Sequence, residues 1–590
     1  MIANFGPVNR GWNTRCGPNA EDFRDHSGAG KSVEATMDSE AQRRLDGIRR
    51  GRSELENSAI DEFVAGRVSR RDFIRFASVI GLSLPALAVV LEACATTTTA
   101  TPTPGNIKRG GRLNIGQDTP SGAMDPILTN DLGRLTILGQ AGEYLAFSDK
   151  DLKLRPVLAT TWSPNTDGSV WTFTIRQGVK FSDGTPMTVD DVVATFNRLA
   201  DASIKGNNAL SNFAGVLSKG GVSKVDTSTV KFQLDQANGN FPYLVSSDNY
   251  NAIILPASYQ DGTWDKTFIG TGPWKLKSYT VNDHVSFDRN PNYWDPNNQP
   301  FLDGLDFKFY SSEPAAILAF QAGSLDALTQ ISVANGQGLL TDPNTTVIDI
   351  PTSAHRQIHM RTDQAPFNDK RVRQALALTL DRPTIITGLW NGKAQLANDH
   401  PIFKMYPYSD TTVAQRAQDV NMAKSLMAAA GKSGGFAVTL YTETVQEIPA
   451  LAALVQAAGK TIGITITLNI TDSGTYYDKY WLNSPLGITD YGHRGVPNTF
   501  LQAPLLSTGT WNAAHFKNPT YDGLFNDYVK AVDLAAQKAV TGKIEQLLLD
   551  ETPLIIPYNY DHLTAVKTKV AGVETTGMGH LNLRQAGLTS

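Results

Sequence analysis

Residues 155–200 read RPVLATTWSPNTDGSVWTFTIRQGVKFSDGTPMTVDDVVATFNRLA, and this stretch decides the fold. Trp171, Phe173 and Ile175 alternate with Thr172 and Thr174, the period-2 pattern of a half-buried strand. The run Ser163-Pro164-Asn165-Thr166-Asp167-Gly168 supplies the turn before it, and Ser182-Asp183-Gly184-Thr185-Pro186 a second turn after it. Thr188 is placed to cap a helix whose first turn holds Asp190 and Asp191, where the helix dipole favours negative charge. Val189, Val192, Val193, Phe196 and Leu199 then follow at helical spacing. Strand, turn and capped helix make a scaffold unit, and none of its residues carries a chemical role.

The wording of the unit is more specific than its periodicity. LATTWSPNTDGSVWTFTIRQGVKFSDGTPMTVDDVVATFNR resembles the hallmark segment of the extracellular solute-binding proteins of family 5. These are peptide-, nickel- and oligosaccharide-binding components of bacterial ABC importers. Further matches are Gly270-Thr271-Gly272-Pro273, Asn290-Pro291-Asn292-Tyr293-Trp294, the run 366–376 and Pro553-Leu554-Ile555-Ile556-Pro557-Tyr558, so the resemblance spans most of the chain after residue 106. It implies an α/β, two-lobed periplasmic-binding-protein-like fold (type II, cluster C-like) with an extra inserted lobe. It also implies a monomer that captures a peptide or peptide-like solute and works with ABC permease and ATPase subunits, without a cofactor. A fold family does not by itself identify the ligand. An oligosaccharide, an opine-like conjugate or chelated nickel stays open, as does, more remotely, an exported hydrolase.

Length and composition set the outer bounds. With 590 residues the chain is too long for one core. A net charge of -4 leaves no footprint for nucleic acid. The two cysteines, Cys16 and Cys94, make no disulfide framework and leave the body after residue 106 without a thiol nucleophile. Gly30-Lys31-Ser32 and Gly431-Lys432-Ser433 look like ends of phosphate loops, but Asp25 and Leu426 stand where each needs its first glycine.

The amino-terminal part reads as an address. Residues 1–68 are polar, without sustained periodicity, and are expected to be a disordered extension; the start is Met1 or Met37. Ser69-Arg70-Arg71-Asp72-Phe73-Ile74-Arg75 resembles the twin-arginine export motif, and an apolar run interrupted by Pro85 follows it. Leu91-Glu92-Ala93-Cys94 resembles a lipobox with Cys94 acylated, while Ala93-Cys94-Ala95 also suits ordinary signal cleavage. Residues 69–94 are thus a signal, and the Thr/Pro-rich 95–106 a tether. The expected location is the periplasm or cell surface, held to the membrane by a lipid anchor.

Within the body, 105–146, 270–355 and 562–590 are expected to form lobe I, 147–269 an inserted lobe II, and 356–561 lobe III. Periodicity predicts a helix over 315–328, an Ala-rich helix over 420–430, strands over 437–441 and 464–470, and helices over 448–459 and 531–549.

No nucleophile elbow, His-Glu-x-x-His or calcium loop is present. His355 and His359 lie in an extended pattern, which puts them roughly 13 Å apart at strand rise, too far to share a metal. The loop carrying Asp490, Tyr491, His493 and Arg494 follows an apolar strand end, where binding residues concentrate. In peptide-binding relatives an aspartate of this loop pairs with the ligand's α-amino group, and the resemblance puts His493 at that position. The loop therefore suits an acidic or uncharged polar group, with Asp490 a shifted substitute. Asp118 and Ser121, in a segment resembling the family's first ligand-facing loop, and Trp390 complete the candidate ligand contacts.

Overall fold

A computed structural model describes residues 107–213 and 215–589. Arg70, Arg71, Cys94 and the tether lie outside the described residues, and so do the readings built on them.

The opening segment folds as its pattern requires. Val170–Ile175 is a strand and Val189–Leu199 a helix capped by Thr188. The Asp191 carboxylate accepts from the backbone N–H of Thr188 at 2.6 Å and its hydroxyl at 2.9 Å, closing a capping box with Asp in place of Glu. This strand belongs to a four-stranded sheet with Ala159–Pro164, Thr229–Gln233 and Val222–Lys224. Phe173, Phe196 and Phe232 interlock above it, with Phe173 and Phe196 edge-on to Phe232 at 5.3 and 5.2 Å between ring centres. Burying each such ring is worth roughly 1.5–3 kcal/mol.

Two larger sheets organise the rest. The first has seven strands in the order Thr345–Ile350, His562–Lys567, Ala327–Ile331, Arg112–Asp118, Gly304–Tyr310, His284–Arg289 and Trp274–Thr280. Its core is continuous with that of the four-stranded sheet, Leu113, Ile115 and Phe307 joining Phe173 and Phe232 in one apolar cluster. The second, also of seven strands, includes His355–Met360, Phe436–Glu443, Ile464–Thr471, Leu486–Tyr491 and Tyr558–Tyr560. Its core gathers Ile358, Leu440, Val455 and Ile488 and reaches Phe320 and Leu339 on helices beside the first sheet.

The chain passes between the two seven-stranded sheets twice, at 351–354 and at Asp561. Most helix boundaries fall within a few residues of their periodicity: Val420–Ala429, Ile448–Lys460 and Leu534–Glu551. The stretch 315–328 differs. The helix Glu313–Gln321 stops early, Gly323 turns the chain at φ +82°, and Ala327–Ile331 enters the first sheet as a strand. Only glycine adopts that backbone without strain, and its position overrides the helical spacing of the apolar residues around it.

Candidate functional site

In the first sheet Arg112–Asp118 pairs in parallel with both Gly304–Tyr310 and Ala327–Ile331. In the second sheet Phe436–Glu443 pairs in parallel with both Ile464–Thr471 and Leu486–Tyr491. His355 lies opposite Tyr491 and Ile350 opposite His562, so both connections leave their sheets at the carboxyl ends of the parallel strands. Open α/β sheets bind ligands outside those ends. The junction therefore collects two such ends at one place.

A buried charge cluster occupies the end that belongs to the second sheet. The Arg356 side chain is fully buried; its Nε donates to Glu447 Oε1 at 2.7 Å and its Nη2 to Gln446 Oε1 at 2.7 Å and Glu447 Oε2 at 3.0 Å. Its Nη1 pairs with Asp490, which also accepts from the Tyr560 hydroxyl at 2.9 Å. The guanidinium sits 4.4 Å above the Tyr560 ring, and Trp390 stacks on the same tyrosine at 5.0 Å. Glu443, itself buried, accepts from the Tyr477 hydroxyl at 2.9 Å. One guanidinium faces both Glu447 and Asp490, so acidic groups outnumber it here.

The other expected contacts lie in protein surroundings. Tyr491 is buried and stacked on His355, with ring centres 5.3 Å apart. His493, expected to face a solute, is only 6 % exposed. Its Nδ1 accepts from the Ser353 backbone N–H at 3.0 Å, and its ring lies so close to Gly577 that a Cβ there would fall 2.9 Å from it. Burial, then the charge of Arg494, holds the imidazole neutral, with its pKa down at about 3. Histidine thus braces the connection 351–354. Arg494, another of the expected contacts, donates from Nη1 to the His493 carbonyl at 2.8 Å, and its charge acts on Asp248, which burial pushes up to about 7. Ser121 is exposed and donates to Asp131 at 3.0 Å.

Asp118 ends the central strand of the first sheet and lines a recess of about 40 Å³ together with Gln117, Gly133, Glu313 and Thr329. Burial, then the nearby Glu313 carboxylate, raises its pKa.

The profile of the bacterial extracellular solute-binding proteins, family 5 Middle, matches residues 153–513. The chain belongs to that family. It is 26% identical over 501 residues to the periplasmic oligopeptide-binding protein OppA of Salmonella typhimurium (strain LT2), covering 78% of this chain and 88% of OppA. It is 26% identical over 446 residues to heme-binding protein A of Haemophilus influenzae, covering 70% of this chain and 78% of that protein. Among solved structures, the unliganded open form of the murein tripeptide binding protein MppA superposes with a TM-score of 0.72 at 25% identity, over 83% of this chain and 99% of MppA. The α/β fold is that of the two-lobed periplasmic binding proteins, with the four-stranded sheet as an additional inserted lobe.

Within this family 5 protein, sequence reasoning passed over Arg356, Glu443, Glu447 and Glu313, and it read Gln117 and Asp118 as loop where they end the strand Arg112–Asp118. One signal was available. Arg356 shares a strand face with Ile358 and Met360, and an arginine on an apolar face needs a buried partner. The partners could not be named from spacing, because Glu447 and Asp490 lie 91 and 134 positions away.

Proposed function

We propose that this solute-binding protein captures a peptide or peptide-like solute between its two seven-stranded sheets and delivers it to the permease and ATPase subunits of an ABC importer. The observation that carries this reading is the convergence of both sets of parallel-strand carboxyl ends on a two-stranded junction. Such a junction is a hinge, and closure about it encloses a ligand. On this reading lobe I comprises 105–146, 270–355 and 562–590, lobe II 147–269 and lobe III 356–561. The protein acts as a monomer and does no chemistry on its cargo.

A second reading keeps the fold and changes the cargo to a non-peptide solute. It is favoured by His493, a neutral, enclosed ring at the position where the family resemblance leads one to expect an acid. Native mass spectrometry of the purified protein separates the two, since a retained peptide and a retained glycan or conjugate differ in mass and fragmentation. Scattering with saturating solute tests capture itself: the radius of gyration falls on closure, and an unchanged value overturns the proposal.

The export route is proposed from sequence. Arg70→Lys with Arg71→Lys blocks translocation if the pair is the twin-arginine address. Cys94→Ala releases the protein from membranes if that thiol carries the anchor; material that still sediments with salt-washed membranes refutes the anchor.

A further inference from the structure

Side chains from the edge strands of both seven-stranded sheets meet at the hinge. Thr345–Ile350 is the edge strand of the first sheet and runs directly into the connection 351–354. Ala394–Leu396 is the edge strand of the second, and its Gln395 lies opposite Asn559, two residues before Asp561 in the other connection. Asp561 thus sits between Asp349 from the first sheet and Gln395 from the second. Its backbone N–H donates to the Lys393 carbonyl at 3.2 Å, which ties the connection to the second sheet's edge.

The donors at this point fall one proton short. Asp561 is 6 % exposed, and its two carboxyl oxygens both accept from Gln395 Nε2, at 3.3 and 3.2 Å. Asp349 Oδ2 accepts from Lys393 Nζ at 2.9 Å. Asp349 Oδ1 is enclosed and has no donor among the described residues, and the Asp561 carboxyl faces the same side chain. A proton on Asp561 supplies the missing donor and leaves one negative charge against the one ammonium of Lys393. Without it two carboxylates confront each other, and a buried acceptor goes unmet. Burial, then the charge of Asp349, accordingly raises the Asp561 carboxyl to about 7. The charged groups that face it are Asp349 from the first sheet and Lys393 from the second. The connection 351–354 carries no titratable side chain, and burial keeps the neighbouring His562 ring neutral, with its pKa down at about 4.

We propose that Asp349 and Asp561 are a proton-operated latch at the hinge: one proton held between them keeps the lobes in the arrangement of this structure, and its loss frees the hinge to open. In this arrangement Asn240 of the inserted lobe bonds to Asn498 at 3.0 Å and to Tyr528 at 2.8 Å, so the lobes are joined away from the hinge as well. The proposal rests on the hinge of the capture reading above and not on which solute is captured. When the hinge opens the two carboxylates part, and Asp561 returns toward its ordinary value of about 4. Between about pH 4 and 7 closing therefore takes up one proton, and the closed-to-open ratio falls by up to about tenfold per pH unit as pH rises through that window. Above about 7 neither form holds the proton, and the ratio stays at its lower value.

The test is small-angle scattering of the full chain without solute, at fixed ionic strength, from about pH 5 to about pH 8. The wild-type radius of gyration grows across that range. Asp561→Asn, whose amide donates to Asp349 without titrating, keeps the smaller radius throughout. Asp349→Asn, which removes the opposing charge, flattens the profile as well. Asp190→Asn, an exposed acid of the inserted lobe, follows wild type. Thermal melts at each pH establish that every variant is folded over the range. A wild-type radius that is the same at both ends of the range, or a rise in Asp561→Asn equal to that of wild type, overturns the latch. The latch and the capture reading fail separately. Compaction by the co-purified solute, with no pH dependence of the solute-free protein, overturns the latch and leaves capture standing. A pH-dependent radius that Asp561→Asn abolishes, with no compaction by any solute, supports the latch and sinks capture.

Discussion

Lys393 Nζ lies 2.9 Å from Asp349 Oδ2, an ion pair that ties the two seven-stranded sheets together beside the second connection. Asp561, the residue of that connection, accepts from Gln395 Nε2 at 3.2 and 3.3 Å and faces the Asp349 carboxylate. Burial, then the charge of Asp349, raises the Asp561 carboxyl to about 7.

That shift sets the sign of a pH effect. Between about pH 4 and 7 the folded chain holds this proton and the unfolded chain does not, so the contribution of Asp561 to stability falls as pH rises through that window. Asparagine mimics the protonated form and can donate to Asp349. Asp561→Asn is therefore expected to stabilise the protein at pH 8 by about 1–2 kcal/mol, a value discounted for solvent screening. It brings no gain at pH 4. Thermal melts of both proteins across this range check it; a gain that is equal at every pH would refute the assignment.

The buried cluster at Arg356 makes a second prediction. Removing a buried charge leaves its partners unpaired, at a cost of about 3–5 kcal/mol. Arg356→Met strands Glu447 and Asp490 together and should lower the free energy of unfolding, measured in urea, by that order. Asp490→Asn leaves the Arg356–Glu447 pair intact and should cost clearly less. Equal losses in the two variants would mean that the arginine serves only to fill space.

Six histidines offer a spectroscopic prediction. Burial lowers His355, His400, His562 and His580 to about 4, and His359 and His493 to about 3. Their rings stay neutral in the folded chain while the unfolded chain protonates them below about 6.5. Each contributes stability that is present above about 6.5 and lost as pH falls toward the folded value, by up to about 1.4 kcal/mol per pH unit. Long-range nitrogen–proton NMR should show six imidazoles as fixed neutral tautomers from pH 8 to 5. Titration of the His493 signals near 6.5 would contradict the enclosed ring.

What could be read beforehand follows the range of the interaction. The helix Val189–Leu199 is specified by Thr188, Asp191 and apolar residues within a dozen positions, and its boundaries were legible. The break at Gly323 was written in the sequence too, but periodicity outvoted it. The loop 488–500 was legible as a strand end and turn, since Leu486–Tyr491 is a strand. What Asp490 and His493 touch was not. Their partners Arg356, Tyr560, Ser353 and Gly577 come from three other segments, and only the sheet pairing brings them near. The recess at Asp118 is of the same kind, assembled from two helices and two strands.

Gly239 carries the last prediction. Its N–H donates to the Val529 carbonyl at 2.8 Å, joining the inserted lobe to the helix Pro519–Lys530. The next residue, Asn240, donates to Asn498 Oδ1 at 3.0 Å and the Tyr528 hydroxyl at 2.8 Å, and accepts from Gln537 Nε2 at 3.0 Å. These buried bonds form a clasp across the two sides of the molecule. A Cβ at position 239 would overlap the Ala531 carbonyl, and that backbone cannot swing aside as a side chain could. Gly239→Ala should thus hold the clasp open and lower the fraction of closed molecules. Apparent affinity falls with that fraction, so a tenfold drop in closed population costs about tenfold in solute binding, or about 1.4 kcal/mol. Small-angle scattering should show a larger radius of gyration without solute, while the melting of each lobe's own core changes little. If Gly239→Ala binds the native solute as wild type does and scatters identically, the clasp plays no part in closure.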